Sequence, residues 1–189
     1  MALLDLQQLT ELVETTTADM FRIETLPAYA TPITSREYRR WLDGEPEPDW
    51  AARQPWLDTL TRWVTEGRQR RRVRVIHAPI SDYERYACDW SYPSSVNAGE
   101  QVRVLDLNEV DAPKELLFVP GDWSLLDNTT VIKMYYGPEG QFTGAQPLDI
   151  HHLAQHQIAA LAAWNAAEPF EQWWAQHPQY HRTVSHPAG

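Results

Sequence analysis

Asp122-Trp123-Ser124-Leu125-Leu126-Asp127, running on into Val131-Ile132-Lys133-Met134-Tyr135-Tyr136, decides how this chain folds. The first stretch reads as a short apolar strand with a carboxylate at each end. The second reads as a longer strand, and Asn128-Thr129 make the tight turn between them. Side chains alternate faces along a strand, so carboxylates five positions apart start from opposite faces. One of them is therefore expected to point into the fold or to be used by it.

Strand and helix patterns continue on both sides of this hairpin. Toward the C-terminus, Gly137-Pro138-Glu139-Gly140 turns into Phe142-Thr143-Gly144. A helix over about 149–166 follows, with Leu153, Ile158, Leu161 and Trp164 as its apolar side, then a shorter one around 170–175. Toward the N-terminus lie strands over 116–119 and 101–107, a loop at 93–99, and a helix through about Trp90 opened by the capping box Ser81-Asp82-Tyr83-Glu84. Before it, a strand from Arg72 turns Val73 and Val75 inward, with Arg72 and Arg74 outward or in a pocket.

The first 70 residues read as mostly helical. A helix over 5–17 carries Leu6, Leu9, Leu12 and Val13 on one stripe, and 21–25 alternates like a short strand. Thr34-Ser35-Arg36-Glu37 reads as a capping box before Tyr38, Trp41 and Leu42. A helix over 55–66 puts Trp56, Leu60, Trp63 and Val64 together and stops at Gly67. The fold expected is α/β (α+β), with a single mixed β-sheet flanked by helices. It is read as a single domain over 1–189: a mostly helical 1–70 packed on an α/β core at 71–176, with 177–189 as a loose tail.

Composition narrows the function classes. A net charge of −10 argues against a broad electrostatic grip on nucleic acid or anionic lipid. The one cysteine, Cys88, excludes an internal disulfide and a cysteine-cluster metal site, and suits a reducing cytoplasm. Met1-Ala2-Leu3-Leu4-Asp5 lacks the features of a signal peptide, and no apolar run reaches the roughly 20 residues of a membrane span. A cytoplasmic protein is the expectation. Nine tryptophans and eight tyrosines are enough to fill the core and still leave two or three for a cavity or partner surface.

The candidate sites are few. Arg72 and Arg74 share a strand face and suit a carboxylate or phosphate, or they pair with the chain's own Glu100, Asp122 or Asp127. His77 at a strand end, with Asp82, Tyr83 and Glu84 just beyond, has the makings of a general base oriented by a carboxylate. His152 and His156 have zinc-binding spacing on a helix near His151 and Asp149, but Leu153 stands where a metalloprotease needs glutamate, so no metal is assigned. No Gly-x-Ser-x-Gly, phosphate loop or dinucleotide fingerprint occurs, no cofactor is implied, and Cys88 reads as a packing residue.

Three blocks carry a resemblance: Arg72-Val73-Arg74-Val75-Ile76 with Pro79, Tyr83 and Tyr86; Ala98-Gly99-Glu100-Gln101-Val102-Arg103; and Asp122-Trp123-Ser124-Leu125-Leu126-Asp127. With Tyr38, Trp41 and Trp164, the chain resembles the DUF6879 family of uncharacterised actinobacterial proteins from about Phe21 to Trp174. Members are often encoded near helix-turn-helix regulators or within specialised-metabolism regions, which implies a setting and no reaction. The element order is also similar to one phospholipase D-like lobe, whose motif is HxKxxxxD. With Asp127 at the motif's aspartate, Pro120 stands at the histidine and Asp122 at the lysine, so the resemblance implies no phosphohistidine chemistry.

The function expected is a non-hydrolytic cytoplasmic module in a regulatory or specialised-metabolism setting. It would bind a small molecule or a protein partner, such as a helix-turn-helix regulator, in a pocket lined by Arg72, Arg74, Tyr83, Tyr86, Glu100, Asp122 and Trp123. A homodimer is compatible with the sequence; direct nucleic-acid or membrane contact is not expected. The alternative is an enzyme acting on a polar, amino-acid-derived substrate, with His77 or Asp122 as base, Arg72 and Arg74 as anion clamp and Tyr83 as acid. An antitoxin-like partner with an acidic surface is a third reading. A deep cavity with His77 near a carboxylate would favour the enzyme, and a shallow aromatic groove the interaction module.

Overall fold

Three parallel strands form the centre of the molecule. In the computed structural model, which describes residues 3–182, β1 (Asp19–Glu24), β2 (Gln69–Ile76) and β3 (Gln101–Asp106) run side by side in one direction. The hairpin of β4 (Trp123–Leu126) and β5 (Thr130–Tyr136) adds antiparallel to β1, and β6 (Phe142–Pro147) extends it. A two-residue strand, β7 (Glu168–Pro169), pairs antiparallel with β3. The result is the expected mixed sheet, in the order β6-β5-β4-β1-β2-β3-β7.

The two carboxylates of the hairpin fasten it to both ends of β1. Asp127 accepts from the backbone N–H groups of Thr17, Ala18 and Asp19, at 2.8, 2.8 and 3.0 Å, and from the Thr17 hydroxyl. Asp122, only 3% exposed, accepts from the N–H and hydroxyl of Thr25 and, at 2.6 Å, from the Tyr29 hydroxyl. Asp122 is thus the inward-pointing one. The turn sits one residue earlier than expected: Asp127 and Asn128 occupy its centre with φ of 49° and 56°, a region these two residue types tolerate.

One face of the sheet is a dry apolar layer. Phe21, Ile23, Val73, Val75, Leu105, Trp123 and Leu125 pack there against Ala159, Ala160 and Ala163 of α6 (Leu153–Ala166). Here the sequence reading needs correcting: Ile158 and Leu161 are 59% and 63% exposed. The alanines take the centre of the sheet-facing side because their small size lets the helix come close; Leu153 and Trp164 pack against the same core as expected, and Ile158 and Leu161 are left outside. The segment expected as a strand at 116–119 is instead a 3-10 turn (Lys114–Phe118), with Leu116 packed on the core and Leu117 and Phe118 exposed.

The opposite face is covered in two parts. Over β4, β5 and the start of β1 lie α1 (Leu6–Glu14) and α3 (Trp50–Thr65), with Leu9, Leu12, Val13 and Trp63 packed on Met20, Leu126, Ile132 and Met134. Over β2 and β3 lie α2 (Pro32–Leu42), α4 (Asp82–Tyr86), a π-helical turn (Ala87–Ser91), α5 (Tyr92–Asn97) and α7 (Phe170–Gln176). The α2 cap is Thr31 with Thr34 rather than Thr34 with Glu37, because Pro32 fits the first helical turn; Glu37 is buried and pairs with Arg53 at 3.3 Å. Similarly α3 starts at Trp50 under the Asp49 cap and carries Pro55 inside it. The Ser81–Glu84 capping box forms as expected, and the helical path runs beyond Trp90 through Pro93.

Of the expected tail, Pro178–Tyr180 make a helical turn with Tyr180 stacked on Trp173, and 183–189 lie outside the described residues. No helix among the described residues is long and apolar enough to cross a membrane.

Trp123 is fully buried on the dry face, 5.5 Å from the Phe21 ring, with its Nε1–H donated to the Val119 carbonyl. Trp123→Ala is expected to cost about 3–5 kcal/mol, read as a lowered urea midpoint.

Candidate functional site

The covered face of the central strands carries charge where apolar residues are usual. In the parallel register Arg22 lies beside Arg72 and Glu24 beside Arg74, and all four side chains alternate away from Ile23 and Val73. Arg72 bridges two carboxylates, Glu24 at 2.8 Å and Glu100 at 2.9 Å. Arg22 reaches Glu24 at 3.1 Å and donates to the Tyr136 hydroxyl. Arg74 pairs with Glu84 at 2.8 Å, donates to the Leu26 carbonyl and lies over the Tyr29 ring. Its Nε and Nη1 are buried without a hydrogen-bond partner, Nη1 being 4.0 Å from Glu24.

Burial and pairing oppose each other here, and pairing wins for Glu24. Burial pushes its carboxyl up, but Arg72, Arg22 and Arg74 bring it down to about 2. Burial, reinforced by the neighbouring carboxylates, pushes the Tyr29 and Tyr83 hydroxyls well above the ordinary tyrosine range and Tyr136 up to about 12. These hydroxyls stay protonated at physiological pH, and that of Tyr29 donates to Asp122.

The residues singled out in the sequence are brought together only in part. Arg72 and Glu100 meet directly. Arg74 takes Glu84, and Asp122 takes Thr25 and Tyr29. Tyr83 and Tyr86 lie 5.6 Å apart in an aromatic cluster with Tyr38 and Trp41, and the Tyr86 hydroxyl accepts from Arg53. Trp123 is a correction: it belongs to the opposite face of the sheet, because it is one position from Asp122 along the strand. His77 is exposed just beyond β2 and makes no hydrogen bond or ion pair among the described residues. The His152 and His156 rings have separate partners: His152 Nδ1 meets the Gln155 amide, and the His156 ring bonds the His152 carbonyl and packs edge-on to Trp123.

Several members were missed. Glu24 and Arg22 lie in the alternation of 21–25, where the inward position of Phe21 and Ile23 already implied that 22 and 24 share the other face. Glu84 was legible only as a cap; its carboxylate serves both the Ser81 N–H and Arg74. Among the described residues, one set that brings a histidine nitrogen and carboxylate oxygens within 4.8 Å of one another is Asp106, Glu109 and His177.

A surface groove of about 520 Å³ lies outside this network, between α3 with its preceding turn and the π-helical turn with α5. Trp50, Trp90 and three prolines, Pro46, Pro48 and Pro93, line it together with the carboxylates of Glu47 and Asp89. Asp89 accepts from Trp41 Nε1 at 3.0 Å, and its carboxyl is raised by burial against that bond. A π-turn shifts the helical register by one residue, which is how Asp89 and Trp90 come to flank the groove. Gly99, at φ +104°, follows α5 where a Cβ would strike Val64 of α3, so the two helices sit close at its end. A second depression of about 330 Å³ shares Pro93 and Asn97 and continues to Phe170, Glu171 and Trp174.

The arrangement of charged strands, capped helix and hairpin spans nearly the whole chain. Residues 7–175 match the family described as a domain of unknown function (DUF6879). The chain belongs to that family. No curated protein matches it.

The depressed Glu24 carboxyl sets an acid limit for this DUF6879 protein. The unfolded chain takes up a proton below about pH 4.3 that folded Glu24 refuses until about 2, so stability is full above the ordinary carboxylate range and falls as pH drops through it. The loss should be on the order of 3 kcal/mol by the time Glu24 protonates, and Glu24→Gln should flatten the slope of urea midpoint against pH between 5 and 2.5.

Proposed function

We propose that the chain is a non-hydrolytic, cytoplasmic binding module in a regulatory or specialised-metabolism setting, and that it takes a segment of a protein partner into the groove along α5. The observation that carries this reading is the lining of that groove: Trp50 and Trp90 with three prolines, edged by Glu47 and Asp89. Aromatic and proline surfaces offer flat apolar contact at low entropic cost, and the two carboxylates favour a cation beside it. The partner segment is therefore basic and apolar, an extended stretch with arginine or lysine next to proline or an aromatic residue. A helix-turn-helix regulator is one protein of suitable charge. The charged network beneath α2 and α4 serves this reading as a frame, since its carboxylates and guanidiniums are largely matched to one another.

The likeness to a phospholipase D-like lobe would stop at the order of elements. Asp127, at the place of the motif's aspartate, spends both oxygens on the backbone of 17–19. The enzyme reading has weaker support: His77 is exposed, and Asp122 already accepts three hydrogen bonds.

Selection from a displayed library of extended peptides tests the proposal. Binders enriched in basic residues beside proline or aromatics are expected, and Trp50→Ala and Glu47→Lys should each weaken them by ~10-fold or more. Both side chains are at the surface, so stability should stay within about 0.5 kcal/mol. Peptides that bind both variants as well as the parent would rule the groove out.

A further inference from the structure

We propose that Asp106, Glu109 and His177 form a binding site for a divalent transition-metal cation, of the Zn²⁺ or Mn²⁺ kind. They lie where β3 ends and the chain turns back, at the C-terminal edge of the parallel strands, the side of such sheets where ligands bind. Asp106 is the last residue of β3, Glu109 follows in the turn, and His177 comes from the end of α7.

Each inner group is held by a second set of bonds, which is what a metal site requires. His177 is buried, and its Nδ1 lies 2.7 Å from the Trp173 carbonyl. That carbonyl can only accept, so Nδ1 carries a hydrogen, and Nε2 is the atom turned to the carboxylates, 3.0 Å from Glu109 Oε1. Stacking against Trp173 at 4.4 Å and Tyr180 at 5.6 Å fixes the ring plane. The buried Asp106 carboxylate is held on one oxygen by the Trp173 indole N–H at 3.2 Å and on the other by Asn108. Trp173 thus orients both inner groups, one through its carbonyl and one through its indole.

The donor set selects the ion. Two carboxylates and one imidazole balance a charge of +2, and mixed nitrogen and oxygen donors suit a transition-metal ion better than Mg²⁺ or Ca²⁺, which prefer oxygen alone. Glu109 is exposed, so the cation enters from solvent on its side and keeps water on its remaining positions.

Calorimetric titration of the full chain with ZnCl₂, MnCl₂ and MgCl₂ tests this, together with ¹⁵N spectra of the histidine side chains. The expected result is one equivalent of Zn²⁺ or Mn²⁺, a shift of the His177 Nε2 resonance on Zn²⁺ addition, and ~10-fold or greater weakening by Glu109→Gln, an exposed position that leaves the fold intact. Asp106→Asn should weaken it likewise. Absence of saturable binding, shifts confined to other histidines such as His151 and His152, or equal affinity in Glu109→Gln would each overturn the site. The spectra need no variant, so a misfolded Asp106→Asn protein does not blunt the test.

Discussion

The contact between Arg72 and the two carboxylates Glu24 and Glu100 is the one on which the rest of the fold leans. It spans all three parallel strands: Glu24 ends β1, Arg72 lies within β2, and Glu100 immediately precedes β3. A guanidinium with rigid, forked donors can hold two carboxylates at once, and a lysine could not do so with the same geometry. Such a bridge is not chiefly a source of stability, because desolvation offsets much of the attraction. What it imposes is register. Sliding β2 by one residue would send Arg72 and Arg74 into the dry layer beside Phe21 and Trp123, at the cost of unpaired buried charge.

The helical cover follows from that choice of face. The apolar face needs a close, smooth partner and receives the alanines of α6. The charged face needs tyrosine hydroxyls and capped helix ends that can meet carboxylates and guanidiniums, and α4 supplies Glu84 and Tyr83 while α5 supplies Tyr92. The hairpin joins through Asp127 and Asp122, one at each end of β1. The groove of about 520 Å³ then lies on the outside of the helical layer, where the π-turn brings Asp89 and Trp90 beside α3.

Some of this was legible in the sequence for a simple reason: it is local. Alternation gave the hairpin, β2 and β3; the Ser81–Glu84 cap and the stop at Gly67 are decided within a few residues. The pairing of Arg72 with Glu100 was also within reach, since an acidic chain with a buried arginine must find it a partner. Other features depend on contacts between distant segments. Nothing in 153–166 states that the alanines rather than Ile158 and Leu161 face the sheet, because both sides of that helix are apolar. Trp123 looked like a pocket residue beside Asp122 only until the pleat separated their faces. The groove needs α3 to begin at Trp50, which Pro55 concealed, and the Asp106–Glu109–His177 cluster joins a strand end to a helix near the far end of the chain.

The central claim, that the charged strands are a closed frame, is tested most directly by hydrogen exchange at the guanidinium Nε–H groups of Arg72 and Arg74. The account predicts slow exchange with water, and resonances that stay fixed when a groove-binding peptide is added while the Trp50 indole signal moves. Rapid exchange at Arg74, or peptide-induced shifts at Arg72 and Arg74 with Trp50 unmoved, would contradict it and return the binding site to the strand face.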